Sequence, residues 1–143
     1  MSARLLSVIV GLLAAALVVD LFFHWTEGRG GEFNIGATTG LDSGPGFFTF
    51  ATALALVLWE LGGVLGVPRT VRSDDLVAFF LAAGTALAAM GAVIHLKWGA
   101  SSPFGSDLAV AALLAIPLAI LLLAGAVAHL GKHVLEAGPS AAP

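Results

Sequence analysis

Four long apolar stretches, each bounded by polar or turn-forming residues, dominate the pattern of hydrophobic and polar positions along the chain. A helix rises about 1.5 Å per residue, so a stretch of about 21 residues measures about 30 Å, the thickness of the hydrocarbon core of a bilayer. Helices are favoured there because every backbone group must be hydrogen-bonded within the segment. The pattern predicts four transmembrane helices, at Leu5–Trp25, Phe47–Val67, Leu76–Leu96 and Leu108–Leu130.

Turn-forming and capping residues support these boundaries. Ser43 and Pro45 predict the start of the second helix, because Ser caps exposed N–H groups and Pro is tolerated in the first turn. Gly66 predicts the end of that helix. Asp74 and Asp107 are predicted to cap the third and fourth helices, where a negative charge complements the helix dipole. Capping explains both acids without a functional role.

The composition indicates that these apolar stretches are embedded in a membrane. Hydrophobic residues make up 59% of the chain and charged residues 10%, against roughly 25% charged residues in ordinary soluble domains. The net charge of −3 leaves no basic surface for nucleic acid, and the absence of cysteine excludes disulfides and thiolate metal sites. We predict one transmembrane domain over residues 1–137 and a disordered Pro/Ala-rich tail at 138–143.

The basic residues predict the orientation. If the chain crosses four times, Arg4, Arg69, Arg72 and Lys132 all fall on one side of the membrane, whereas the loop at 26–46 carries more acids than bases. Basic residues are enriched on the cytoplasmic side of membrane proteins. The fold class predicted is therefore an all-α bundle of four transmembrane helices with both termini in the cytoplasm. The richness in Ala, Gly, Leu and Val is typical of bacteria with GC-rich genomes and suggests a bacterial cytoplasmic membrane.

The loop at 26–46 is the longest predicted connection and contains seven glycines. It is expected either to be mobile or to fold tightly over the outer surface as a short hairpin, and loops of this length are often functional. The two halves of the chain also share an order of residues that suggests two parallel helical-hairpin repeats, with chance resemblance of apolar helices as the alternative. The shared residues are His24, Trp25 and Pro45 in the first half and His95, Trp98 and Pro103 in the second.

Small and polar residues predict how the helices pack, because helices in lipid associate through close contact and buried polar bonds. Two stripes are expected to meet, which would make the second and third helices the core of the bundle. The stripes comprise Thr49, Thr52, Leu56, Glu60 and Gly63 on the second helix and Ala82, Thr85, Ala89 and Ala92 on the third. The fourth helix, almost wholly Leu, Ile and Ala, is expected to be the most exposed to lipid.

Glu60 is the most informative single residue. It lies about 10 Å inside the predicted end of the second helix, where a carboxyl group is costly and often functional. The structural interpretation is a hydrogen bond across the bundle or to a partner subunit, with Thr49 and Thr52 on the same stripe. The functional interpretation is a proton or cation pathway, or a ligand contact. A third is that the side chain extends toward Arg69 or Arg72.

A second candidate cluster lies near the predicted outer end of the bundle. Asp20, His24 and Glu27 are spaced i, i+4 and i+7, which places them on one helix face, and His95 is expected at the same depth on the third helix. Two imidazoles flanked by carboxylates can bind a divalent metal or relay protons. His24 and His95 facing each other would suit a bis-histidine haem. The alternative is that these groups lie at the headgroup level and Asp20 pairs with His24.

His129, His133 and Glu136 repeat the same spacing at the end of the fourth helix. An HxxxH pair can ligate a metal, but His and Lys near a helix C-terminus more often complement its dipole. No metal site is predicted on this spacing alone.

The sequence lacks a Walker loop, a GxSxG elbow, an HExxH motif and a cysteine nucleophile. We therefore expect a non-enzymatic membrane protein, either a structural or accessory subunit of a membrane complex or a small homo-oligomer. The alternative is a small proton, cation or solute transporter or channel component that uses Glu60. A further alternative is a haem- or quinone-binding redox subunit, because haem or a divalent metal is not excluded. The expected partners are the lipid bilayer and other membrane subunits.

Overall fold

The structure, a computed structural model, describes residues 3–28, 38–67, 74–99 and 106–136. Within these ranges the fold is helical, with four helices: α1 (Ala3–Asp20), α2 (Gly44–Val64), α3 (Asp74–Ile94) and α4 (Val110–Glu136). The shorter elements are strands β1 (Thr26–Gly28) and β2 (Ser106–Leu108), a 3₁₀ turn (Gly40–Asp42) and a π-helical turn (His95–Gly99). The predicted disordered tail at 138–143 lies outside the described residues.

The helices form a ring in which α1 and α3 each pack against both α2 and α4, while the diagonal pairs scarcely touch. Two close contacts between neighbouring antiparallel helices show which of their ends lie together. A Cβ built on Gly11 of α1 would lie 3.4 Å from the Cβ of Glu60 on α2, and one built on Gly91 of α3 would lie 4.0 Å from the Cβ of Pro45. The start of α1 and the end of α2 therefore lie at one end of the bundle, here called the terminal end. The opposite end is called the cap end.

Three helical segments are long and apolar enough to cross a membrane: Gly44–Val64, Leu76–Lys97 and Val110–Gly131. Their length and composition indicate a membrane location. The apolar part of α1 is shorter, Leu5–Asp20.

Each helix turns a narrow stripe of small side chains to the core. The buried positions alternate mainly by three and four residues, the spacing with which helices pack nearly parallel in bundles. On α2 the buried residues are Gly46, Thr49, Ala53, Leu56 and Glu60. On α3 they include Ala78, Ala82, Thr85, Ala89 and Ala92. The predicted stripe of α3 is confirmed; on α2, Thr49, Leu56 and Glu60 are buried, whereas Thr52 is half-buried and Gly63 is exposed.

The fourth helix is no more exposed than α2. In the 18-residue windows compared, 28% of the residues of α4 are buried and 22% of those of α2. The reason is that α4 presents an alanine stripe to both neighbours, with Ala112, Ala115 and Ala119 all fully buried. Small residues permit close backbone approach, and a Cβ on Gly125 would come within 3.2 Å of Val10 Cγ2 on α1.

The first helix ends at Asp20, five residues before the predicted Trp25. The chain leaves the helix in a turn, in which the Phe23 N–H donates to the Asp20 carbonyl over 3.1 Å. Trp25 then folds back into the bundle, where it is fully buried, and its indole Nε1 donates to the same carbonyl over 3.1 Å. A helix end leaves its last carbonyls without helical partners, and these two donors satisfy one of them.

Residues 21–28, 38–43 and 106–109 form an ordered layer over the cap end, here called the cap. Strands β1 and β2 pair antiparallel, with Glu27 opposite Asp107. Asp107 therefore lies in a strand, and α4 begins only at Val110, so the prediction that Asp107 caps the fourth helix is wrong. The described residues of the first loop contribute β1 and the 3₁₀ turn to this layer; positions 29–37 lie outside the described residues.

The second helix runs from Gly44 to Val64, three residues earlier at each end than the predicted Phe47–Val67, but the predicted capping residues are confirmed. The Ser43 side chain accepts a hydrogen bond from the Gly46 N–H over 3.0 Å, and Pro45 occupies the first turn. After the helix, Gly66 takes a φ of +74°, a left-handed conformation that glycine adopts without steric cost.

Candidate functional site

Glu60 occupies the last buried position of the α2 stripe. Its side chain is 3% exposed and both carboxyl oxygens are buried. It lies four residues before the end of α2 at Val64, or about 6 Å along the axis. Gly11 on α1 is its neighbour across the helix pair, because a Cβ built at Gly11 would be in van der Waals contact with the Glu60 Cβ at 3.4 Å. The structure shows the predicted burial of Glu60 within the bundle.

A groove runs between α1 and α2 beside Glu60, with a volume of about 220 Å³. It opens on the outer surface of the bundle, since Leu12 and Leu61 on its rim are 64% and 49% exposed. The lining is apolar apart from Ser7 and Glu60. The lining residues are Ser7, Val8, Gly11, Leu12, Ala15, Val57, Glu60, Leu61 and Val64.

The threonines of the core use their hydroxyl groups within their own helices. Thr49 donates to the Pro45 carbonyl over 2.8 Å, and Thr85 donates to the Leu81 carbonyl over 2.7 Å. Thr52 likewise donates to the carbonyl of residue 48 over 2.9 Å. The hydroxyl groups of the predicted candidates Thr49 and Thr52 therefore donate within their own helix and not to another helix. Glu60 carries a carboxyl group instead of a hydroxyl group.

The cap-end candidates are not held together by a helix face. Because α1 ends at Asp20, the i, i+4, i+7 argument that joined Asp20, His24 and Glu27 does not apply. His24 and His95 are exposed, and the backbone of His24 forms a bridge with Thr39. Glu27 lies in β1, and its side chain is outside what the structure describes. Whether these residues act together stays a prediction.

Asp20 is separated from this group by its burial. It is 7% exposed, and its Oδ2 atom is buried with no hydrogen-bond partner among the described residues. Oδ2 therefore does not pair with His24, which was the alternative interpretation of these two residues. The reason is the turn at residues 21–23, which carries His24 to the surface and leaves Asp20 in the bundle.

In the described part of the chain, no side chains are arranged as a ligand set for a metal ion or for haem. No three His, Asp or Glu residues there lie close enough together to hold a metal ion. His24 and His95 lie at the surface of the cap end, whereas two axial imidazoles of a haem would have to face each other across the interior.

His129 lies deeper than the sequence suggested. It is 7% exposed, and α4 continues to Glu136, about two turns beyond it. Complementing the dipole at the helix end therefore does not explain His129. The signal was available in the sequence, because His129 continues the three- and four-residue spacing of Ala119, Leu122 and Ala126. The side chains of His133 and Glu136 lie outside the described set.

No protein-family model, no curated protein and no solved structure matches this chain. The function must therefore be argued from the residues themselves.

Proposed function

We propose that the protein is a non-enzymatic subunit of a membrane assembly, either an accessory subunit of a larger complex or the protomer of a small homo-oligomer. The observation that carries this proposal is the groove between α1 and α2, which gives the lipid-facing surface a shaped recess beside a buried carboxyl group. A smooth apolar surface would suffice for lipid alone, whereas a recess floored by Gly11 suits the close approach of another helix.

The proposal includes four membrane crossings with both termini in the cytoplasm. Three helices have the length and composition for a crossing, and α1 packs along α2 and α4 as their neighbour in the ring. The basic residues Arg4, Arg69, Arg72 and Lys132 would then lie on the cytoplasmic side. The cap would face outward, and the composition favours a bacterial cytoplasmic membrane.

A second candidate function is proton or cation transfer through Glu60. It is favoured by one observation, a carboxyl group buried beside a groove that opens on the outer surface of the bundle. Carboxyl groups within membrane bundles commonly mark ion or proton pathways.

Substitution of Glu60 separates the two candidates. Glu60→Gln keeps a donor and an acceptor in nearly the same shape, so a structural role should survive it. Glu60→Leu removes both and should weaken association by about 1–2 kcal/mol, the range of buried polar bonds between membrane helices. Thr52→Val is the matched control, because Thr52 lies on the same helix and bonds only its own backbone in the described contacts. The measurements are oligomeric state and co-purifying subunits in mild detergent, and proton or cation flux in proteoliposomes.

We expect no flux in any variant and impaired assembly only with Leu. Flux in the natural protein that is abolished by Gln, in a chain that still folds, would replace the structural role by the transport role. An amide can neither release a proton nor supply a negative charge, so Gln and Leu must fail alike in a transporter.

A further inference from the structure

Asp20 lies at the junction of the bundle and the cap. It is the last residue of α1, and its backbone carbonyl accepts hydrogen bonds from the Phe23 N–H and the Trp25 indole, each over 3.1 Å. Its carboxyl group is buried, and the Oδ2 atom has no hydrogen-bond partner among the described residues. Burial of an ionised carboxylate in which one oxygen lacks a donor costs free energy, whereas the neutral acid is tolerated.

The core around this junction is apolar. The cluster at the cap end contains Leu17, Leu21 and Trp25, together with alanines of α3 and α4. Four other titratable side chains are described near this end of the bundle. His24, His95 and Lys97 are exposed, and the carboxylate of Asp42 accepts the Thr39 hydroxyl over 2.9 Å.

Trp25 connects Asp20 to the rest of the cap. The backbone N–H of Trp25 donates to the Thr38 carbonyl over 2.8 Å, and the backbone carbonyl of Trp25 accepts the Ala109 N–H over 2.9 Å. Its ring is fully buried against Gly40, which has no side chain to yield. A change in the position of the Trp25 indole would therefore displace residues in all three segments of the cap.

We propose that Asp20 is a proton-binding site and that its bound proton keeps the cap closed. Loss of the proton breaks the O–H bond of the carboxyl group and transfers the proton to water on the cap side. The carboxylate that remains needs donors. The Trp25 indole N–H, which donates to the Asp20 carbonyl and also lies within reach of the carboxyl group, then turns from the carbonyl toward the carboxylate. The cap then opens far enough to admit water to the charge. This inference goes beyond the proposed function and does not depend on it.

The test follows the cap of the full-length protein in nanodiscs from about pH 4 to about pH 9, a range that covers the ionisation of carboxyl and imidazole groups in proteins. Trp59→Phe and Trp98→Phe make Trp25 the sole tryptophan, so its emission reports the cap. We expect emission to move to longer wavelength as pH rises. In hydrogen exchange, the protection factors of the Trp25 and Ala109 amides should fall by about tenfold or more.

Asp20→Asn should abolish both changes and leave the cap closed throughout, because the amide is neutral and nearly the same shape. His24→Gln and His95→Gln are the matched controls and should leave the transition in place. A transition that persists in Asp20→Asn, or that disappears in either histidine variant, would overturn the proposal.

Infrared difference spectroscopy of the unsubstituted protein provides a test that needs no folded variant. A carbonyl stretch of a buried, protonated carboxyl group should be present at low pH and lost together with the emission change. A cap transition without loss of such a band would show that the proton is bound elsewhere.

Discussion

Gly40 lies in direct contact with Trp25: a Cβ at position 40 would stand 2.7 Å from the Trp25 Cε2 atom and 2.7 Å from the Leu21 Cδ2 atom. The indole is rigid and fully buried, so it cannot withdraw as the end of a flexible chain could. The cap therefore closes over the bundle only because position 40 has no side chain.

Gly40→Ala should destabilise the protein by about 1–3 kcal/mol, the usual cost of overpacking a filled core. Gly44→Ala is the control, because nothing lies within 4 Å of a Cβ there. Unfolding in detergent, followed by circular dichroism, measures both. Equal stability of the two variants would mean that the indole is not held as described.

The alanine stripe of α4 gives a second prediction. Ala119→Leu inserts a large side chain at a fully buried position, which should cost about 1–3 kcal/mol through overpacking. Ala124→Leu adds the same atoms at an exposed position of the same helix and should be nearly neutral. If lowered stability were found only for position 124, the packing of α4 against α1 and α3 would be contradicted.

The orientation is open to cysteine labelling, since the natural chain contains no cysteine. Gly36→Cys should react with an impermeant reagent applied outside intact cells, and Ser73→Cys should react only after permeabilisation. The expectation follows from the distribution of basic residues. The reverse pattern of labelling would invert the proposed topology.

The haem and metal hypotheses can be tested on the purified protein. We expect an absorption spectrum without a Soret band and metal contents near background, because His24 and His95 are both exposed at the surface. A Soret band lost in both His24→Ala and His95→Ala would instead establish the bis-histidine site.

The local features of the fold could be predicted from the sequence. The capping Ser43, the glycine that ends α2 and the small-residue stripe of α3 each follow from short-range chemistry, namely a side chain that meets a nearby backbone group or a period set by the helix. The burial of Glu60 followed from the same periodicity.

The cap could not be predicted from the sequence, because its contacts join residues that lie far apart in the chain. Trp25 is apolar whether it continues a helix or folds back under Gly40, so hydropathy extended α1 by five residues. Asp107 follows a serine before an apolar run and reads as a helix cap, but pairing with β1 holds it in a strand. The isolation of Asp20 depends on the first of these features, the early end of α1, and could not be predicted without it.

If α1 crosses the membrane as proposed, its short apolar part has a consequence for the surrounding bilayer. Its sixteen residues, Leu5–Asp20, measure about 24 Å, whereas the hydrocarbon core is about 30 Å thick. The longer neighbouring helices can tilt to match that thickness, but α1 cannot lengthen. Lipid beside α1 must therefore thin, or the exposed rings of Phe22 and Phe23 must fill the difference. Such hydrophobic mismatch carries a small energetic cost for every ångström. The protein should accordingly favour thin membranes and collect where the bilayer is already compressed.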